Sequence, residues 1–240
     1  MEGFIYMKAI VVLDIPFPVG TDDDWIHPVV LRDENHLVLV DCGYTGAFPL
    51  IETALNTHGI SPEQLTHVVI THQDHDHMGG LFELKSRYPQ VRVVASKIEA
   101  PYISGEIKSV RLAQAEALQA VLPPDQQAFG EKFLGILRAV RPVNVDETVT
   151  DGQELPWCGG CKVMATPGHT AGHISLSLPN LKTVISGDAA VIENNNLVIA
   201  NPQFTLDPVL AQRSLELLKD LGAEQIICYH GGIWRADARP

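Results

Sequence analysis

Residues 70–81 read ITHQDHDHMGGL, and the six positions 72–77 hold three histidines and two aspartates. With ten histidines in 240 residues, a window of six should contain about a quarter of one. Carboxylates and imidazoles are costly to bury without partners. Such a cluster therefore belongs either to a solvated loop or to a site where something positive holds it together. The segment before it, THVVIT, is short and β-branched, which predicts a buried strand that delivers the cluster at its C-terminal end. Behind it, Gly79-Gly80 and LFELKSRYP predict a helix that begins as soon as the loop ends.

Three later stretches repeat the arrangement. TPGHTAGH places His169 on a glycine-flanked turn after a strand, SGDAA places Asp188 directly after LKTVI, and CYHGG places His230 directly after EQIIC. Each of these residues alone is an ordinary strand-end polar group. Four strand ends that each present an imidazole or a carboxylate beside a glycine are what a metal site needs. Strands fix the ligand positions, and glycine allows close backbone approach.

The rest of the chain shows two halves with the same strand-and-helix rhythm. Residues 4–15, HPVVLRD, HLVLVDCG, THVVIT and VRVVAS read as strands of the first half, with helices at about residues 48–58 and behind Gly80. CKVMATP, HISLSLP, LKTVISGD and EQIICYHGG are the strands of the second, with a helix at about residues 208–221 that Asp207 and Gly222 bound. Between the halves, residues 109–140 turn helical and are broken by Pro123-Pro124, a hairpin with Phe129, Phe133, Leu137 and Val140 predicted on one face. It is either a packing embellishment or a cap over the site. No linker separates the halves, so residues 1–240 are expected to form a single domain with this insertion.

Composition narrows the function classes. The chain is 45% apolar and 19% charged, ordinary for a globular protein. Its formal charge of −12, with no two Lys or Arg adjacent, argues against nucleic acid and anionic membranes as partners. Glu2 and the interrupting Asp14 do not suit a secretory signal, and no apolar run reaches the ~18 residues of a membrane span. A cytoplasmic location is the expectation. Cys42, Cys158, Cys161 and Cys228 are too scattered for a disulfide framework. WCGGC has the spacing of a redox motif, but the strand-like KVMAT after it makes residues 157–161 a turn between strands.

Taken together, the motifs resemble the metallo-β-lactamase superfamily over nearly the whole chain. That family's pattern is H-x-H-x-D-H, then a His in a T-P-G-H-T-like turn, an Asp after a strand and a C-terminal His. The counterparts here are His72, Asp76 and His77, then His169, Asp188 and His230. The resemblance implies an α/β fold, a four-layer αββα sandwich, with two divalent metal ions in a cleft at one edge. It implies that His72 and His169 hold the first ion, that Asp76, His77 and His230 hold the second, and that Asp188 bridges them. One position departs: Asp74 stands where the family has its second His, and His75 follows it. Asp74 replacing the imidazole, a shifted loop that uses His75, and a first site short of one ligand are the three readings. The first is favoured, because a shift would also misplace Asp76 and His77. The flavodiiron branch of the superfamily likewise has a carboxylate there. With Asp74, the ligands, two divalent ions and a bridging hydroxide sum to neutrality, where the family pattern carries one positive charge. Zinc is the expected metal, and the extra carboxylate also suits iron or manganese.

The resemblance implies a metallo-hydrolase in which Asp76 orients a metal-bridged hydroxide for attack on a small ester-like bond, a lactone, thioester or β-lactam. The lactonase-like and glyoxalase-II-like branches are the nearest. A phosphodiesterase, an iron-dependent oxidoreductase on the same fold and a non-catalytic metal-binding module are the alternatives. A small-molecule substrate is the expected partner, with a homodimer as one assembly. His173 is expected to be structural, and Asp41 to support the loop.

Overall fold

The structure is a computed structural model that describes residues 9–16 and 25–236. Two six-stranded sheets carry the fold. The first has the spatial order Ala9–Val12, Val29–Arg32, Leu37–Val40, His67–Ile70, Arg92–Ser96 and Glu147–Val149. Its first three strands are antiparallel neighbours and its last four run parallel. The second has the order Gly232–Arg235, Gln225–Cys228, Thr183–Gly187, Ile174–Leu178, Cys161–Ala165 and Glu154–Leu155. Only Thr183–Gly187 and Gln225–Cys228 are parallel there.

Side chains alternate across a strand, so each strand serves two layers. Val29, Leu31, Val38, Val40, Val69 and Val94 of the first sheet pack against Val163, Ile174, Leu176, Ile185 and Ile227 of the second. The opposite residues of the first sheet, Val30, Leu39, Val68, Ile70 and Val93, meet a helical layer instead. The helices are α1 (Phe48–Thr57), α2 (His75–Met78), α3 (Leu81–Arg87), α4 (Ala100–Ile103), α5 (Val110–Gln119), α6 (Gln127–Ala139) and α7 (Pro208–Asp220). Helices α1 and α3 cover the first sheet through Phe48, Ile51, Leu55, Leu81 and Leu84. Helix α7 covers the second through Leu215 and Leu218 on Val184 and Ile226. The order of layers is helix, sheet, sheet, helix, as the αββα expectation has it.

Asp207 caps α7 by accepting from the Leu210 N–H at 2.9 Å, a contact typically worth about 1 kcal/mol. Helices α5 and α6 form the hairpin expected at residues 109–140, with Ser109 capping α5. Its apolar face differs from the reading: Leu134 and Leu137 are buried, whereas Phe129 is 78% exposed. Helical spacing groups Phe129 with Phe133, but Phe129 sits in the first turn of α6 at the tip of the hairpin, where no other described residue buries it. The His-rich loop also differs, because residues 75–78 already form the helical turn α2 ahead of α3. Residues 157–159 are a single 3-10 turn between strands, and Cys158 and Cys161 are both free and buried. Gly232–Arg235, Glu147–Val149 and the small hairpin Val191–Glu193 with Asn196–Val198 are strands that the sequence did not announce. Of the expected strand at residues 4–15, residues 4–8 lie outside those described. Among the described residues, no helix is long and apolar enough to cross a membrane.

Candidate metal centre

The two sheets bring five strand ends to one edge. Leu37–Val40 ends at Asp41, His67–Ile70 at Thr71-His72, Cys161–Ala165 at the turn holding His169, Thr183–Gly187 at Asp188, and Gln225–Cys228 at Tyr229-His230. Glycine is required where these loops crowd together. A Cβ on Gly79 would lie 2.3 Å from the His75 carbonyl oxygen and 2.4 Å from the Thr45 nitrogen. Gly187, at φ +52°, would place one 2.7 Å from His173 Nε2.

All seven expected ligands converge here. His72, Asp74 and His169 form one group, Asp76, His77 and His230 a second, and His72, His77 and Asp188 a third, with the offered atoms of each group within 4.8 Å of one another. Asp188 faces both halves, with Oδ2 3.5 Å from His169 Nε2 and Oδ1 3.3 Å from His77 Nε2. Asp74 is turned into the first group, its Oδ2 3.1 Å from His169 Nε2 and 3.8 Å from His72 Nε2. His75 belongs to none of the three groups; its ring lies 5.9 Å from that of Phe133.

The outer contacts decide which nitrogen each imidazole offers. Thr71 Oγ1 donates to Asp41 Oδ2 at 2.8 Å, which leaves it to accept from His72 Nδ1 at 3.0 Å. His77 Nδ1 donates to the same Asp41 oxygen at 2.9 Å. Both Nε2 atoms therefore face inward as the nitrogens available to a cation. Asp41 orients two imidazoles, a more specific task than loop support. Its φ of +59° is the left-handed conformation that Asp tolerates better than most residues. His173 is structural: its Nε2 accepts from the Asp188 N–H at 3.0 Å, and burial lowers its pKa to about 3.

Buried atoms without partners test whether this donor set suits cations. Among the described residues, His72 Nε2, His77 Nε2 and Asp188 Oδ1 have no hydrogen-bond partner, although His77 Nε2 and Asp188 Oδ1 lie 3.3 Å apart; His75 Nδ1 is also unpartnered but lies outside the three groups. Orphaned polar atoms are costly to bury, and the first three aim at one space. The titration directions divide the imidazoles: burial would lower His169 and His230, but the carboxylates raise both. Burial pushes His72 well below its ordinary pKa, with His77 and His169 adding to the effect. Burial would also depress His77, but Asp188, Asp41 and Asp76 hold it above its ordinary value. Burial raises Asp188, yet His77 and His230 hold its carboxyl well below the usual range. Ionised carboxylates that hold His77, His169 and His230 above their ordinary pKa call for positive charge at this point, and divalent ions at the inward nitrogens would supply it in place of protons.

Sequence reasoning missed Arg111 and Glu99. Arg111, buried in the first turn of α5, donates to Asp74 Oδ2 at 2.7 Å and to the Phe204 carbonyl at 2.5 Å. A cation at the positive end of a helix is unfavourable, which was a readable signal that Arg111 has a particular partner. Glu99 accepts from the Gln73 N–H, Gln73 Nε2, Thr170 Oγ1 and the Gly172 N–H at 2.7–3.2 Å, tying the His-rich loop to the His169 turn. The hairpin thus reaches the site, and Phe133 lines the cleft of about 390 Å³ beside Asp74, His169 and His230.

Residues 26–230 match the family model of the metallo-beta-lactamase superfamily. The chain belongs to this superfamily. It is similar to "Probable metallo-hydrolase YflN" of Bacillus subtilis, 27% identical over 220 residues that span 86% of this chain and 80% of that one. It is also similar to the hydroxyacylglutathione hydrolase of Photobacterium profundum, 30% identical over 149 residues, 61% of this chain and 40% of that enzyme. A metallo-beta-lactamase family protein of Thermus thermophilus shares the fold, with a TM-score of 0.72 at 22% identity over 94% of this chain and 74% of that one. The chain is therefore an enzyme, a metallo-hydrolase of the superfamily. Members of the superfamily bind divalent metals, and the three His/Asp groups are where this chain could hold them.

Proposed function

We propose that the enzyme cleaves a small ester-like bond, a lactone, thioester or β-lactam, with two divalent ions held at the seven residues His72, Asp74, Asp76, His77, His169, Asp188 and His230. The observation that carries the reading is Asp188, whose two oxygens face different halves of the cluster at 3.5 and 3.3 Å. His72, Asp74 and His169 would hold one ion, Asp76, His77 and His230 the other, with Asp188 shared. Two such ions, when bound, supply an activated water at neutral pH and polarise the substrate carbonyl. Asp74 as a third carboxylate suits zinc, iron or manganese.

The side chains supply the rest. Asp76 Oδ2 lies 3.1 Å from His230 Nε2 while its backbone carbonyl accepts from Tyr229 Oη at 2.6 Å, so both the side chain and the main chain of Asp76 are held. Ionised and lining the cleft, the carboxylate would accept a hydrogen bond from a water held there and orient it. Phe133, Phe204, Val191 and Ala200 line the same cleft and would exclude bulk water from a bound small molecule. The similarity to a hydroxyacylglutathione hydrolase supports a thioester among the candidate bonds.

A substrate panel tests the reading. Metal-replete enzyme should hydrolyse at least one lactone, thioester or β-lactam, and Asp76→Asn should reduce that rate by a factor on the order of 10² or more. With phosphodiesters added to the panel, turnover of these alone would assign the site to a phosphodiesterase, and turnover of no lactone, thioester or β-lactam would overturn the ester-cleaving reading.

A further inference from the structure

We propose that the substrate carries an apolar acyl arm, and that this arm seats in a second cavity which the helical hairpin opens beside the metal cleft. The proposal rests on the ester-cleaving reading above and names the class of substrate for that same site. The second cavity, about 400 Å³, lies between α5, α6 and residues 203–204. It meets the cleft of about 390 Å³ at three shared side chains, Arg111, Phe133 and Phe204. These three form a fixed junction. The Arg111 guanidinium stacks 5.1 Å from the centre of the Phe204 ring and hydrogen-bonds the Phe204 carbonyl, and the Phe133 and Phe204 rings lie 6.3 Å apart.

The chemistry of the lining selects the arm. Ala115, Leu118, Leu122 and Phe129 supply its apolar surface beyond the junction, beside four glutamines and Asp125, whose negative charge disfavours an anionic arm. Arg111 is the single cation among the lining residues, and it is already engaged by Asp74, Gln114 and the Phe204 carbonyl. A phosphate-bearing or carboxylate-bearing arm would find no free counter-charge there. An alkyl or acyl chain would cover Phe129 and Leu118, which are otherwise 78% and 57% exposed. Apolar residues exposed around a concavity mark a binding surface. Adjacency to the cleft favours a substrate arm over a second copy of the chain, since Arg111, Phe133 and Phe204 line both cavities.

The test reads binding and needs no turnover. The protein as purified is titrated with butanoate, hexanoate and octanoate, followed by ligand-observed NMR. All three share the carboxylate, so their differences report the tail alone. Each buried methylene is expected to improve affinity by roughly twofold to fourfold, so octanoate should bind at least tenfold more tightly than butanoate. Ala115→Trp, which fills the cavity, should flatten the series. Leu118→Glu, at an exposed position where folding is not at stake, should weaken octanoate at least fivefold. An affinity blind to chain length would overturn the proposal, and so would variants that keep the wild-type series. Sedimentation of the same samples adds a third contrary outcome, a dimer that hides the groove and ignores octanoate. A steep series in a protein that hydrolyses no ester would remove the hydrolase reading and leave the acyl cavity. Hydrolysis with a flat series would do the reverse.

Discussion

Asp74 is the residue on which the first metal position turns. A carboxylate is shorter than an imidazole, and here it is shared, since Arg111 donates to the same Oδ2 that approaches His169. Burial raises the Asp74 pKa, but His169, His72 and Arg111 together hold it well below the usual carboxylate range, so it stays ionised. His75, one residue on, turns toward Phe133. Asp74→Ala is therefore expected to lower occupancy of one metal position by at least half, while His75→Ala leaves metal content near the wild-type value. Metal analysis of both variants after gel filtration checks this, and the reverse pattern would show that the loop uses His75. At this scale most of the site was legible: the seven residues cluster as their sequence context suggested. Arg111 and Glu99 were not, because their roles arise from contacts with residues far away in the chain, such as Asp74, 37 positions from Arg111. The place of Arg111 in the first turn of a helix signals that it has a partner, but no local pattern says which residue that partner is.

The hairpin of α5 and α6 is the element that closes one side of the metal cleft, through Arg111 and Phe133. It is anchored on the site at two points, the Val110 N–H donating to Gln73 Oε1 at 2.9 Å and Arg111 to Asp74. Phe133 lines the metal cleft and Phe129 does not. Phe133→Ala should thus raise KM for a small ester several-fold with metal content unchanged. Phe129→Ala, at a largely exposed position, should change stability by no more than about 0.5 kcal/mol. Chemical denaturation establishes that both variants are folded before steady-state kinetics are compared. Unaltered KM in a folded, metal-replete Phe133→Ala would assign the hairpin to packing alone. Element types were readable where periodicity was long, as in α1, α7 and the β-branched runs, and the helical period of the hairpin was correct. The orientation of its face was not, because period alone does not say where a neighbour stops. The strand Gly232–Arg235 was missed for a related reason: its glycine pair reads as an exit, and only pairing with Gln225–Cys228 makes it a strand.

At the scale of the molecule, the two sheets place their C-terminal strand ends at one edge, and the negative charge gathered there needs a counterpart. The chain carries −12 overall, and Asp41, Asp74, Asp76 and Asp188 are all buried at this edge. Arg111 offsets only part of that charge. The layer order follows from alternation within the strands. The location of the site follows from where the parallel strands end, which is why the fold was the most legible level of all. The central claim is that this edge holds two ions, with Asp188 serving both. Elemental analysis of protein purified without chelator tests it most directly, alongside Asp188→Ala carried through the same preparation. The account predicts close to two equivalents of transition metal per chain, falling at both positions in the variant. A reproducible value of one or none, or an Asp188→Ala protein that keeps both ions, would contradict it.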